Sequence, residues 1–200
     1  EITTYEDLAD PKWEGKICTR SGTHPYNLAL LSAVIHHHGY DAAKEWAQGL
    51  KNNLARKPQG NDRAQVKAIW AGECDISLGN TYYMGKMLAD EEQTAWANSV
   101  NVVYPSFADG GTHMNVSGVA MTKAAPHAED AKTFMEFLAS DEAQHVYAET
   151  NYEFPVKAGV DRSELVQSWG DFTTDQVNLM DLAALRADAL KIMEEINFDG

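Results

Sequence analysis

CDISLGNTYYMGKMLAD, residues 74–90, runs from a short apolar stretch through a Gly-Asn-Thr turn into a helical pattern. It sets two tyrosines, Tyr82 and Tyr83, at the change of direction. Adjacent side chains of a strand point to opposite faces, and in a helix they sit about 100° apart. Two neighbouring phenols therefore share one target only where the backbone bends from strand to helix. A strand closing on a helix N-terminus is the unit of an α/β layered fold with largely parallel pairing.

The rest of the chain supports that class. The segment 16–27, KICTR followed by SGTHPYN, repeats the pattern: a short strand, a polar turn, then a helix whose first turn carries Tyr26. The opening TTYEDLADP reads as a short helix capped by Thr3 or Thr4 and then a Pro-containing turn, with Thr3 and Glu6 spaced as a capping box. Helices are expected over 25–38, ended by Gly39; over 41–54, with Ala43, Trp46, Ala47 and Leu50 on one face; and over 63–73, with Val66, Ile69 and Trp70 together. Further helices are expected at 81–92, in a pair broken near Ser140-Asp141, and as one long amphipathic helix over 173–196. VNVVYP (100–105) and SGVAMT (117–122) read as strands. The Gly-rich stretch 108–112 between them reads as a crossing between lobes. Met84, Met87, Met180 and Met193 recur at helical spacing and read as core.

Composition narrows the function. The chain has 200 residues and a formal net charge of −14. Such an acidic chain lacks the basic footprint that nucleic acid requires. No apolar run approaches the roughly 20 residues of a membrane span. The opening EITTYEDLADP carries no methionine and reads as the middle of a longer protein. The two cysteines, Cys18 and Cys74, leave two readings open: buried reduced thiols, or a bond between neighbouring strand edges. A bond would point to an oxidising compartment.

The two junctions collect Arg20, Ser21, Tyr26, Asn80, Tyr82 and Tyr83. Ionised phenols are hard oxygen donors, but with a pKa near 10 they give up their protons only to a highly charged ion. Fe³⁺ fits that description. A helix N-terminus favours the phenolates, and Arg20 suits a small anion such as carbonate, or offsets phenolate charge. A tyrosine pair alone ordinarily means packing, so the argument rests on coincidence at two junctions. The run His36-His37-His38 points in three directions and cannot converge on a metal; it reads as a polar helix end suited to the C-terminal dipole. His24 reads as a loop residue near Tyr26, and His113 lies by the expected crossing. There is no Ser-His-Asp order in context, no phosphate-binding glycine pattern and no carboxylate pair at a strand end, so nothing positive marks an enzyme. The alternatives are a binding lobe for an organic or oxyanion solute and, last, an enzyme using Tyr82 or Tyr83 as acid or base.

Residues 3–35, 53–88 and 118–144, and above all the pattern A-G-x-C-D-I-x-x-x-N-T-Y-Y over 71–83, resemble the periplasmic ferric-ion-binding proteins of bacterial ABC iron importers, in their tyrosine-rich branch. The resemblance implies a type II periplasmic-binding-protein fold with one lobe nearly complete, residues 1–112 with 164–200, and a partial second lobe, residues 113–163. It implies Tyr26, Tyr82 and Tyr83 as metal ligands, Arg20, Ser21 and Asn80 around an accompanying anion such as carbonate, and a disulfide between Cys18 and Cys74. It further implies a periplasmic location, delivery to an inner-membrane permease, and a missing N-terminal part holding another ligand. Apolar surface left uncovered on 113–163 would then invite self-association or disorder.

Overall fold

The computed structural model describes residues 1–200. Two short parallel strands, β1 (Ile17–Cys18) and β2 (Ile76–Ser77), pair Ile17 with Ile76 and Cys18 with Ser77. Around them run α1 (Pro25–His38), α2 (Tyr40–Asn52), α3 (Asp62–Trp70), α4 (Tyr82–Leu88) and α5 (Thr94–Ala97). There follow α6 (Ala128–Leu138), α7 (Asp141–Asn151), α8 (Glu164–Gln167), α9 (Leu179–Ala184) and α10 (Arg186–Glu195).

Local chemistry sets these boundaries. Pro25 at the first position of α1 loses nothing by lacking an N–H. Gly39, at φ 81°, ends α1 in a conformation that L side chains rarely adopt. Asn61, Ser140, Ser163 and Asn178 cap α3, α7, α8 and α9 by accepting amides of the first turn. The first turn of the chain differs from the Thr3–Glu6 expectation. The reciprocal pair is Thr4 with Asp7: Thr4 Oγ1 accepts the Asp7 amide at 3.3 Å, while Asp7 Oδ2 accepts the amides of Thr3 and Thr4 at 2.8 and 2.9 Å. The turn is 3₁₀ and starts at Glu6, so the capping positions fall one residue later.

One main core joins the N-terminal 54 residues to Phe107 and the C-terminal helices. Leu28, Leu31, Val34 and Ile35 of α1 meet Ala43, Trp46, Ala47 and Leu50 of α2, and Ile192, Met193 and Phe198 close over them. All four α2 positions expected on the inner face are buried there. Asn53 is buried and donates to the Leu8 and Asp10 carbonyls at 2.8 and 2.9 Å, tying the first turns to the core. A second cluster, Val66, Met84, Met87 and Ala97, seats α4 against α3 and α5. Cys18, in β1, and Cys74 form a disulfide packed against Ala68.

Several expectations fail. Trp70 is 52% exposed and Met180 74% exposed, so neither joins the core. The C-terminal helix is two, α9 and α10, because the Leu185 amide turns back to the Leu182 carbonyl in a tighter bond. Neither 100–105 nor 117–122 forms a strand, for neither finds a ladder partner; single bridges join Thr4 to Ser106 and Thr112 to Thr174. Val116, Val119, Met121, Phe134, Phe137, Val146 and Val156 are exposed within 113–163.

His37 was expected at a polar helix end. Its side chain is instead largely covered, because its partners come from far along the chain. Its ring stacks on Phe107 at 4.1 Å, Nδ1 lies 2.8 Å from Asp109 and Nε2 lies 2.9 Å from Asp175. One ring thus grips both segments that the Thr112–Thr174 bridge joins. His38 pairs with Glu6 at 2.7 Å.

Candidate metal centre

β1 and β2 end side by side, so the turns that follow them face each other. Each turn feeds a helix that starts with tyrosine: Tyr26 is the second residue of α1, and Tyr82 and Tyr83 open α4. The result is contact between residues far apart in sequence. Tyr26 Oη lies 3.1 Å from Tyr82 Oη, and the Tyr82 and Tyr83 rings lie 4.3 Å apart, tilted by 31°.

The turns are held firmly. Asn27 donates from Nδ2 to Thr19 Oγ1 at 3.1 Å and to the carbonyls of Arg20 and Ser21 at 2.9 and 3.0 Å. His24 caps α1 by accepting the Tyr26 amide on Nδ1 at 3.2 Å, and its ring meets Tyr26 edge-on at 4.5 Å. That acceptor role needs an unprotonated nitrogen. Burial, reinforced by the Arg20 charge, pushes the His24 pKa down and favours it.

Two guanidiniums flank the phenols. Arg20 Cζ sits 5.1 Å from the Tyr26 ring centroid, and Arg63 Cζ sits 5.8 Å from that of Tyr83. Arg20 donates from Nη1 to Asp62 Oδ1 at 3.3 Å, while its Nε is buried without a partner. Burial raises the Asp62 carboxyl, opposed by Arg20 and by the Asn80 backbone N–H.

Of the anion group expected from the sequence, Arg20 lies beside the phenols. The Asn80 side-chain oxygen accepts from Asn115 at 3.0 Å, and its carbonyl accepts the Tyr83 amide at 3.3 Å. The Ser21 hydroxyl is committed elsewhere: it donates to Asp199 Oδ2 at 2.6 Å, and the Gly22 amide donates to Oδ1 of the same carboxylate at 2.7 Å. His113 stays with the core; its amide donates to Tyr5 Oη at 3.1 Å. Asn27, Arg63 and Asp62 were missed in sequence. An acid opening a helix is commonplace, and nothing in the sequence marks this one as turned inward.

Chemically, Tyr82 is poised beside Tyr26 but held protonated. Burial, then hydrogen bonding to the neutral phenols of Tyr26 and Tyr83, holds the Tyr82 pKa well above its usual value. Anionic oxygens are available there only to a ligand charged enough to expel the protons. The chain gathers no group of three or more His, Cys, Asp or Glu side chains able to hold a metal.

Comparison with known proteins shows the family and the fold. Residues 3–170 match the model of the bacterial extracellular solute-binding protein family. The chain is 46% identical over 197 residues to iron uptake protein A1 of Synechocystis sp., an alignment covering 98% of this chain and 55% of that protein. It superposes on apo ferric ion-binding protein A of Pasteurella haemolytica with a TM-score of 0.96 at 47% identity, covering 99% of this chain and 62% of the other. A Trichodesmium protein solved in complex with iron and citrate ligands superposes at 0.92 with 42% identity, covering 98% and 63%. The chain therefore spans little more than half the length of iron uptake protein A1, and what it spans has the type II periplasmic-binding-protein fold. It belongs to the bacterial extracellular solute-binding protein family.

Proposed function

We propose that this chain carries the tyrosine-bearing lobe, residues 1–112 with 164–200, of a periplasmic solute-binding protein that captures ferric iron and delivers it to an inner-membrane ABC permease. Tyr26, Tyr82 and Tyr83 are the metal ligands in this reading, and residues 113–163 belong to the second lobe. The observation that carries it is the 3.1 Å approach of the Tyr26 and Tyr82 hydroxyls, brought together from two separate turns.

Three phenolates match the charge of a trivalent ion, and hard oxygen donors suit it. Release follows from the same bonds. Acid returns the protons, and reduction lowers the charge that displaced them. The role is that of a carrier rather than a catalyst, since a phenol held protonated by burial makes a poor base at neutral pH. A small anion, carbonate or a carboxylate-bearing compound, would complete the metal's shell against Arg20, which is partly exposed beside the phenols and commits only Nη1 to Asp62. That the Trichodesmium protein was solved with both iron and citrate supports an anion accompanying the metal.

The test is titration with ferric citrate. A visible phenolate-to-iron charge-transfer band appears on binding, and Tyr83→Phe diminishes it. Absence of any band at about pH 6 to 9, well below the free phenol pKa, in a full-length protein, refutes the assignment.

A further inference from the structure

Asp62 is the first residue of α3, directly after the Asn61 cap. Acids in a first helical turn usually face water, where the helix dipole favours them. This one is 3% exposed. A buried carboxylate needs compensating partners, and those of Asp62 come from the two turns that carry the tyrosines. Arg20 Nη1 lies 3.3 and 3.4 Å from its two oxygens. The Asn80 backbone N–H also faces it. Gly79 passes so close that a Cβ there would lie 3.5 Å from the Asp62 Cβ.

The contact decides how Arg20 is presented. A free arginine side chain samples many rotamers and offers five donors in any direction. Here Nη1 is consumed by Asp62, Cζ is held 5.1 Å from the Tyr26 ring centroid, and Nε is buried with no partner. The pair is also close to neutral. An uncompensated guanidinium beside the phenols would repel an incoming trivalent cation. Paired with Asp62, it supplies directed hydrogen bonds without adding net positive charge.

We propose that Asp62 is a positioning residue of the metal centre: it clamps and neutralises Arg20 through Nη1, so that Nη2, which has no partner and is not buried, is left to donate to an oxygen of the anion that accompanies the metal. This rests on the ferric reading above. Asp62 touches neither metal nor anion and acts through Arg20.

The experiment compares wild type, D62N, R20Q and R20Q/D62N, each loaded with ferric ion and titrated with bicarbonate while the charge-transfer band is followed. D62N should need about tenfold more bicarbonate for the half-maximal band, the usual effect of losing one oriented charged hydrogen bond. R20Q should match it, and the double variant should be no worse than R20Q alone. An unchanged requirement in D62N, or losses that multiply in the double variant, overturns the proposal. Should D62N fail to fold, D62E keeps the charge but displaces the guanidinium by one methylene, and an unchanged bicarbonate requirement there refutes it equally. A second readout separates this inference from the ferric assignment. In metal-free protein, the Arg20 Nε–H should give a slowly exchanging NMR signal in wild type that is lost in D62N. Survival of that signal overturns the role of Asp62 whether or not iron binds, whereas a wild type with no iron band but a D62N-sensitive signal refutes only the iron reading.

Discussion

Removing the Cys18–Cys74 bond is the perturbation whose size follows most directly from the structure. The two residues are 56 apart in sequence, and both sulfurs are buried against Ala68. Closing a loop of that length costs the unfolded chain about 14 cal/mol/K, so the bond contributes about 4 kcal/mol at 25 °C in the chain-entropy treatment. Replacing both residues by alanine also deletes two packed sulfurs, adding about 1 kcal/mol. Single domains are stable by only about 5 to 15 kcal/mol, so the C18A/C74A protein stands near the edge of folding. Urea unfolding followed by circular dichroism gives the comparison. Dithiothreitol should lower the wild-type midpoint nearly to that of the double variant and leave the variant unmoved. A loss below about 1 kcal/mol, or a reductant effect equal in both proteins, would refute the reasoning.

Other expectations test separate parts of the fold. Burial pushes the His113 pKa down to about 4. Below about pH 6.5 the unfolded chain takes up a proton that the folded one refuses, so folding free energy falls by up to about 3 kcal/mol as pH drops toward 4. Urea titrations at the two ends should show H113Q losing less than wild type by roughly that amount, and parallel acid losses would contradict it. Gly22→Ala places a Cβ 2.5 Å from Phe198 Cδ1 and 2.9 Å from Met193 Sδ. It should cost about 1 to 3 kcal/mol by overpacking, and a wild-type melting temperature would disprove the contact. His37→Leu leaves the buried Asp175 carboxylate without its imidazole. We expect a loss of about 3 kcal/mol, partly restored by adding Asp175→Asn, and no restoration would mean that the charge is not the cause.

The helices were legible wherever spacing and caps agreed. Ala43, Trp46, Ala47 and Leu50 declared α2, and Gly39 declared the end of α1. What escaped depends on partners distant in the chain. The segments 100–105 and 117–122 have strand composition, yet a strand exists only beside another. Phe107, Asp109 and Asp175 cover the His37 ring, and none of them is near it in sequence. At the candidate site, the tyrosines were visible because an α/β junction gives adjacent phenols a common direction. Ser21 misled because its hydroxyl goes to Asp199 from the far end of the chain, and Asp62 gave no sign of pointing inward.

The hydroxyl pair Tyr26–Tyr82 and the sulfur pair Cys18–Cys74 have the same separation, 56 residues. Each tyrosine therefore lies equally far beyond its own cysteine, and the two arms are matched rulers laid from one fixed point. Surface turns are ordinarily where a chain gains and loses residues most freely. These two lack that freedom: one residue added to a single arm would swing its phenol away from the other, so their lengths can change only as a pair.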